Sequence, residues 1–144
     1  MHEASDPLYR KELLRLAADA AGAGRLSRPD ASATAANPAC GDRITMEITL
    51  SDGRITALAH ETHACVLTQA SAAILGAHAA GTSRADLAAL KDAVTAMLKG
   101  GTAPAAPFGG YGVFEGVAGH AGRHTCVLLP LTALIQAVES LPEQ

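Results

Sequence analysis

The strongest constraint on this fold is the alternation in Ile44-Thr45-Met46-Glu47-Ile48-Thr49-Leu50. Apolar residues at every second position define a strand with one buried face. Ser51-Asp52-Gly53 follows, and Asp-Gly readily supplies the positive backbone φ of a tight hairpin turn. The chain therefore reverses, and residues 54–62 return as a second strand with Ile55, Ala57 and Ala59 on one side. A hairpin with one apolar face needs a cover.

The rest of the chain supplies helices for that cover. Asp6-Pro7 reads as an N-cap followed by Pro at the first helical position. Tyr9, Leu13, Leu16, Ala17 and Ala20 then recur at helical spacing, as in a surface helix docking one stripe. Residues 22–36 show no period and read as a flexible connector ending at Asn37-Pro38. From Cys65 to Ala80 the chain is apolar and Ala-rich, a buried helix ended by Gly81. Ser83-Arg84-Ala85-Asp86 forms a capping box with Asp in place of Glu. Leu87, Leu90, Val94 and Leu98 mark the helix that follows, up to Gly100-Gly101. Residues 102–122 are rich in Gly and Pro, carry Phe108, Tyr111 and Phe114, and read as a long loop of the kind that is often functional. A last helix opens at Cys126 and runs to about Leu141, with Pro130 expected near its first turn. The order predicts one α+β domain over 1–144: a small antiparallel sheet of two or three strands packed against several α-helices.

Composition removes several classes. Aromatics are only 3% of the 144 residues, so the core must be Leu, Ile, Val and close-packed Ala. The net charge of −3 comes without a basic cluster, which argues against a nucleic-acid surface. No long apolar run and no signal-like start is present, so no membrane association is expected and a cytoplasmic location is the default. Three cysteines, an odd number, argue against a disulfide framework and for packing, nucleophile or ligand roles.

Those cysteines carry the chemistry. Cys40 and Asp42 flank Gly41, whose backbone freedom lets both side chains point at one centre. Cys65 and Cys126 each stand where a helix is expected to start, near unsatisfied N–H groups that favour thiolate. Three thiolates and a carboxylate can complete a tetrahedral zinc shell or hold an iron–sulfur unit. They are equally soft nucleophiles, and a Cys126–His124 thiol enzyme is a further reading that leaves Cys40 and Asp42 unexplained. Among the histidines, His63 and His124 lie close to the cysteines in sequence, as candidates to ligate or assist. His60 and His120 are expected in solvent, and His78 on a helix surface.

Asn37-Pro38-Ala39-Cys40-Gly41-Asp42, Cys65 with Ala70-Ser71 after it, and Arg123-His124-Thr125-Cys126 before Leu129-Pro130 together resemble the U-type iron–sulfur cluster assembly scaffolds, the IscU and SufU proteins. The likeness spans residues 5–141. The wide Cys65–Cys126 separation, Thr125 before the third cysteine and the lack of a Leu-Pro-Pro-Val-Lys segment resemble the SufU branch. The resemblance implies zinc held by Cys40, Asp42, Cys65 and Cys126, with a transient iron–sulfur cluster as a further cargo on the three cysteines. It implies a pyridoxal-phosphate cysteine desulfurase of SufS type as partner, with Cys40 as persulfide acceptor, and downstream iron–sulfur acceptor or carrier proteins. Arg123 would lie near the site and steady a thiolate or persulfide. The function so implied is a zinc-binding sulfur acceptor and scaffold, with a sulfurtransferase step rather than conventional enzyme turnover; a purely structural zinc module is the alternative. Monomer and homodimer both stay open. Glu61-Thr62-His63-Ala64 stands where the family places glycines, which is expected to restrict the turn into Cys65.

Overall fold

The computed structural model describes residues 7–39 and 41–142, with side chains described from Lys11 onward. Asp6 and Cys40 lie outside the described residues.

The hairpin forms as its pattern dictates. Strand β2, Asp42–Ser51, pairs antiparallel with β3, Arg54–His63. Asp52 (φ 52°) and Gly53 (φ 75°) make the two-residue turn. Ile44, Met46 and Ile48 are fully buried on the inner face. Each contributes about 1.5–3 kcal/mol relative to exposure. A register shift beside Thr49 redistributes β3: Ala57 and Ala59 pair with Thr49 and Glu47 on the outer face, while Leu58, His60 and Thr62 pair with Ile48, Met46 and Ile44. The single face expected for Ile55, Ala57 and Ala59 is therefore split by the bulge, because one extra residue reverses the alternation.

Part of the expected connector is a strand. β1, Ala31–Asn37, pairs antiparallel with β2 from Ala31↔Ile48 to Asn37↔Asp42, giving the sheet order β1-β2-β3. Its sequence, Ala-Ser-Ala-Thr-Ala-Ala-Asn, has almost no intrinsic strand signal; pairing with β2 decides it. The chain before β1 crosses the sheet's outer face. Gly24 N–H donates to His60 O and His60 N–H to Gly22 O, each at 2.9 Å, covering the outer edge of β3. Further on, Glu47 is 4% exposed because it accepts from Leu26 N–H (2.7 Å) and Arg25 Nε (3.1 Å).

Helices cover the other face. α1 spans Pro7–Asp19, α2 Val66–His78, α3 Arg84–Leu98 and α4 Ala121–Glu139. The Ser83/Asp86 capping box at the start of α3 forms in both directions. Ala70, Ala72 and Ala73 let α2 sit close among its neighbours. The Gly/Pro-rich stretch is not wholly irregular: Gly109–Val117 is a 3₁₀ helix that buries Tyr111 and Phe114.

The last helix departs most from expectation. It begins at Ala121, so Cys126 stands well inside its first half and Pro130 is interior. Pro130 can be accommodated because donors from α2 reach the α4 carbonyls beside it: Thr68 Oγ1 donates to Cys126 O (2.9 Å) and Ser71 Oγ to Val127 O (2.7 Å). Residue 130 has no N–H for the carbonyl four residues earlier, which is that of Cys126. Among the described residues, no helix is long and apolar enough to cross a membrane.

Candidate metal centre

Three elements converge at one end of the sheet. Asp42 opens β2, Cys65 is the N-cap of α2, and Cys126 faces them from α4. A carboxylate oxygen of Asp42 and the two sulfurs all lie within 4.8 Å of one another. Asp42 and Cys126 are 4% exposed, and Cys65 is half-buried. Cys65 alone meets solvent appreciably among these three.

Local folding explains the arrangement. Asp42 Oδ1 accepts the backbone N–H of Cys65 at 3.0 Å. A carboxylate from a neighbouring strand thus sits at the N-terminus of α2, where the helix dipole favours negative charge. Thr68, three residues into the helix system, donates toward Asp42 Oδ2 at 3.1 Å and lies 3.6 Å from Cys65 Sγ. Ahead of Asp42, Gly41 (φ 75°) donates its N–H to Asn37 O, and Asn37 Oδ1 accepts from Ala39 N–H. Cys40 is part of that chain segment but lies outside the described residues.

The donor set fits a soft divalent metal. Tetrahedral zinc with sulfur at about 2.3 Å and oxygen at about 2.1 Å places its donors roughly 3.5–3.8 Å apart. The three donors, within 4.8 Å of one another, would draw together to reach that spacing. Two sulfurs with one carboxylate suit zinc or iron, whereas magnesium and calcium prefer oxygen alone. Gathering several anionic donors at one point is costly without a cation. Three donors leave one coordination position for a fourth.

The histidines separate cleanly. His124 lies on α4, and its Nε2–H donates to Ala118 O at 3.1 Å. Two residues before Cys126 on a helix, it faces away from the sulfur. A Cys126–His124 pair is therefore not assembled. His63 is exposed at the end of β3, opposite Arg43, and is not among the converging donors. Arg123 is exposed one turn before Cys126. His120 is exposed at the start of α4, and His78 lies on the surface of α2, edge-on to Phe108.

His60 is not in solvent as its polarity suggested. It is 4% exposed, donates from Nε2 to Ala21 O (2.9 Å) and accepts at Nδ1 from the Thr62 hydroxyl (2.9 Å). Burial lowers its pKa, and the Ala21 hydrogen bond opposes this only in part. The turn into Cys65 needs no glycine. No residue from Glu61 to Ala64 has positive φ, so the missing glycines impose no strain there.

Sequence reasoning passed over Thr68. A hydroxyl three residues after Cys65 in a largely apolar run was the available signal. Its partners on β2 and α4 exist only in the folded chain.

The family model for the NifU-like N-terminal domain matches residues 8–139. A crystal structure of a nitrogen-fixing NifU-like protein (N-terminal) from Brucella abortus is 34% identical, with TM-score 0.89 over 95% of this chain and 96% of that one. A crystal structure of a hypothetical protein is 25% identical, with TM-score 0.83 over 93% and 98%. A candidate iron–sulfur cluster assembly scaffold protein for the SUF system from Fervidobacterium islandicum AW-1 shares the fold, with TM-score 0.82, 21% identity and coverage of 93% and 98%. No curated protein matches in sequence. With its three-stranded antiparallel sheet, its helical cover and a match over nearly its whole length, the chain belongs to the NifU-like N-terminal domain family, the U-type scaffolds of iron–sulfur cluster assembly.

Proposed function

We propose that this chain holds zinc through Asp42, Cys65, Cys126 and Cys40, and accepts sulfur on Cys40 from a pyridoxal-phosphate cysteine desulfurase of SufS type. The observation that carries this reading is the convergence of Asp42, Cys65 and Cys126 within 4.8 Å. Cys40 is the remaining cysteine and stands two residues from Asp42 in the chain. Zinc, when bound, holds the thiols as thiolates and keeps them from oxidation. A reducing cytoplasm suits cysteines that serve as ligands and nucleophiles.

The chain's own residues divide the work. Asp42, seated on the Cys65 N–H, stays with α2 when Cys40 leaves. Cys126 is buried on a helix. The Cys40 thiolate attacks the outer sulfur of the desulfurase persulfide. The S–S bond to the desulfurase cysteine breaks, that cysteine departs as thiolate, and Cys40 carries the new S–S bond with no net oxidation. Arg123, exposed three residues before Cys126 in the chain, would offer charge to the persulfide. Iron and further sulfur then arrive as cargo for assembly and transfer to downstream acceptors.

Mixing the protein with such a desulfurase should raise alanine production and leave a persulfide on Cys40. Stimulation by Cys40→Ser equal to that of the parent protein would refute the mechanism. Unfolding on zinc removal with no persulfide at any cysteine would support a structural zinc module instead.

A further inference from the structure

We infer that Thr68 is the positioning residue of this centre, tying all three described donors together through one hydroxyl; this rests on the zinc reading above. Thr68 is fully buried. Its Oγ1 lies 3.1 Å from Asp42 Oδ2, 2.9 Å from Cys126 O and 3.6 Å from Cys65 Sγ. These groups belong to β2, α4 and the N-cap of α2.

The hydroxyl has one proton and two oxygen acceptors. Pro130 gives it the second. An α-helix normally directs the N–H of residue 130 at the carbonyl of residue 126, and proline has none. Thr68 reaches across from α2 to that carbonyl. The consequence is mechanical coupling: the α4 turn bearing Cys126 and the carboxylate of Asp42 share a donor. Were a cation bound, Asp42 could engage it through a remaining carboxylate lone pair and keep the Thr68 hydrogen bond. Thr68 would therefore hold the carboxylate rotamer in place for a ligand role. Hydroxyl partners that orient metal ligands in this way are typically worth about 10–100-fold in metal affinity.

Zinc affinity by chelator competition and the cobalt(II) d–d spectrum are measured on the full chain with Thr68→Val, Thr68→Ser and Thr68→Val/Pro130→Ala. The double variant gives Cys126 O an intrahelical N–H of its own and so restores the helix without restoring the carboxylate partner. Thr68→Val should weaken zinc by about 10–100-fold and shift the cobalt bands. Thr68→Ser should retain both parental values. The double variant should recover melting temperature but neither affinity nor spectrum. Parental affinity and spectrum in Thr68→Val would overturn the inference. Recovery of affinity in the double variant would overturn it too, since Thr68 would then act only by mending α4. If Thr68→Val alone does not fold, the double variant carries the same comparison. A parental protein that takes up neither metal refutes the zinc reading, and this inference with it.

Discussion

Gly76 gives the sharpest test of the packing, because helix propensity and tertiary structure predict opposite signs. It lies inside α2, where replacing glycine by alanine ordinarily stabilises by about 0.8–1 kcal/mol. A Cβ at position 76 would fall inside contact distance of the Ala21 carbonyl oxygen, 2.5 Å from its carbon and 3.0 Å from Gly22 Cα. All of these are backbone atoms, so no side-chain rotation relieves the clash. Gly22, at φ 82°, is held equally tightly from the other side, since its own Cβ would meet Gly76 Cα at 2.8 Å. The segment cannot retreat freely. Ala21 O accepts from His60 Nε2 and Gly22 O from His60 N–H, both at 2.9 Å. Overpacking costs about 1–3 kcal/mol. Leaving the buried imidazole without its acceptor costs about 1–3 kcal/mol more. After the propensity gain, we expect Gly76→Ala to lose about 1–5 kcal/mol. Equilibrium urea unfolding at matched metal content should show a lower midpoint with an unchanged slope. A raised or unchanged midpoint would show that the 21–22 segment does not bear on α2 in this way.

Three further expectations follow from buried groups. The lowered pKa of His60 means that its contribution is complete above the unfolded value near 6.5 and is lost as pH falls toward the folded value; unfolding free energies from pH 7.5 to 5 should fall more steeply in the parent than in His60→Gln, and parallel curves would contradict this. Because the Ser71 proton goes to Val127 O, the Tyr111 hydroxyl must donate to Ser71 Oγ; Tyr111→Phe should cost about 1 kcal/mol and Ser71→Ala about 2–3 kcal/mol in chemical denaturation, and the reverse order would refute the assignment. If Asp42, Cys65 and Cys126 hold zinc, protons compete for the donors and bound metal should decline as pH falls; metal content unchanged into strongly acidic buffer would exclude a thiolate-dominated site.

The sequence was most legible where local physics and packing agree. The Ile44–Leu50 alternation and the Asp52-Gly53 turn required the β2–β3 hairpin whatever covered it. The Ser83/Asp86 box and the Leu87-Leu90-Val94-Leu98 stripe likewise define α3 from within. β1 was illegible because its alanines favour no strand, and only the exposed edge of β2 recruits them. The α4 start was misplaced for a related reason: Pro130 looks like a first-turn residue until donors from α2 compensate its missing N–H. His60 was misjudged because its partner, the Ala21 carbonyl, arrives from the far side of the sheet edge.

For the candidate centre, the sequence by itself determined the inventory: three thiols, a carboxylate, and the motif of the U-type scaffolds around them. Residue chemistry settles which atoms can bind a soft metal. Only the tertiary structure decided which donors meet. It brought Asp42 to the N-terminus of α2 and Cys126 across from α4, turned His124 to a backbone carbonyl and left His63 at the surface. It also placed Thr68 among the donors, because hydrogen bonds between elements depend on distances that no spacing along the chain encodes.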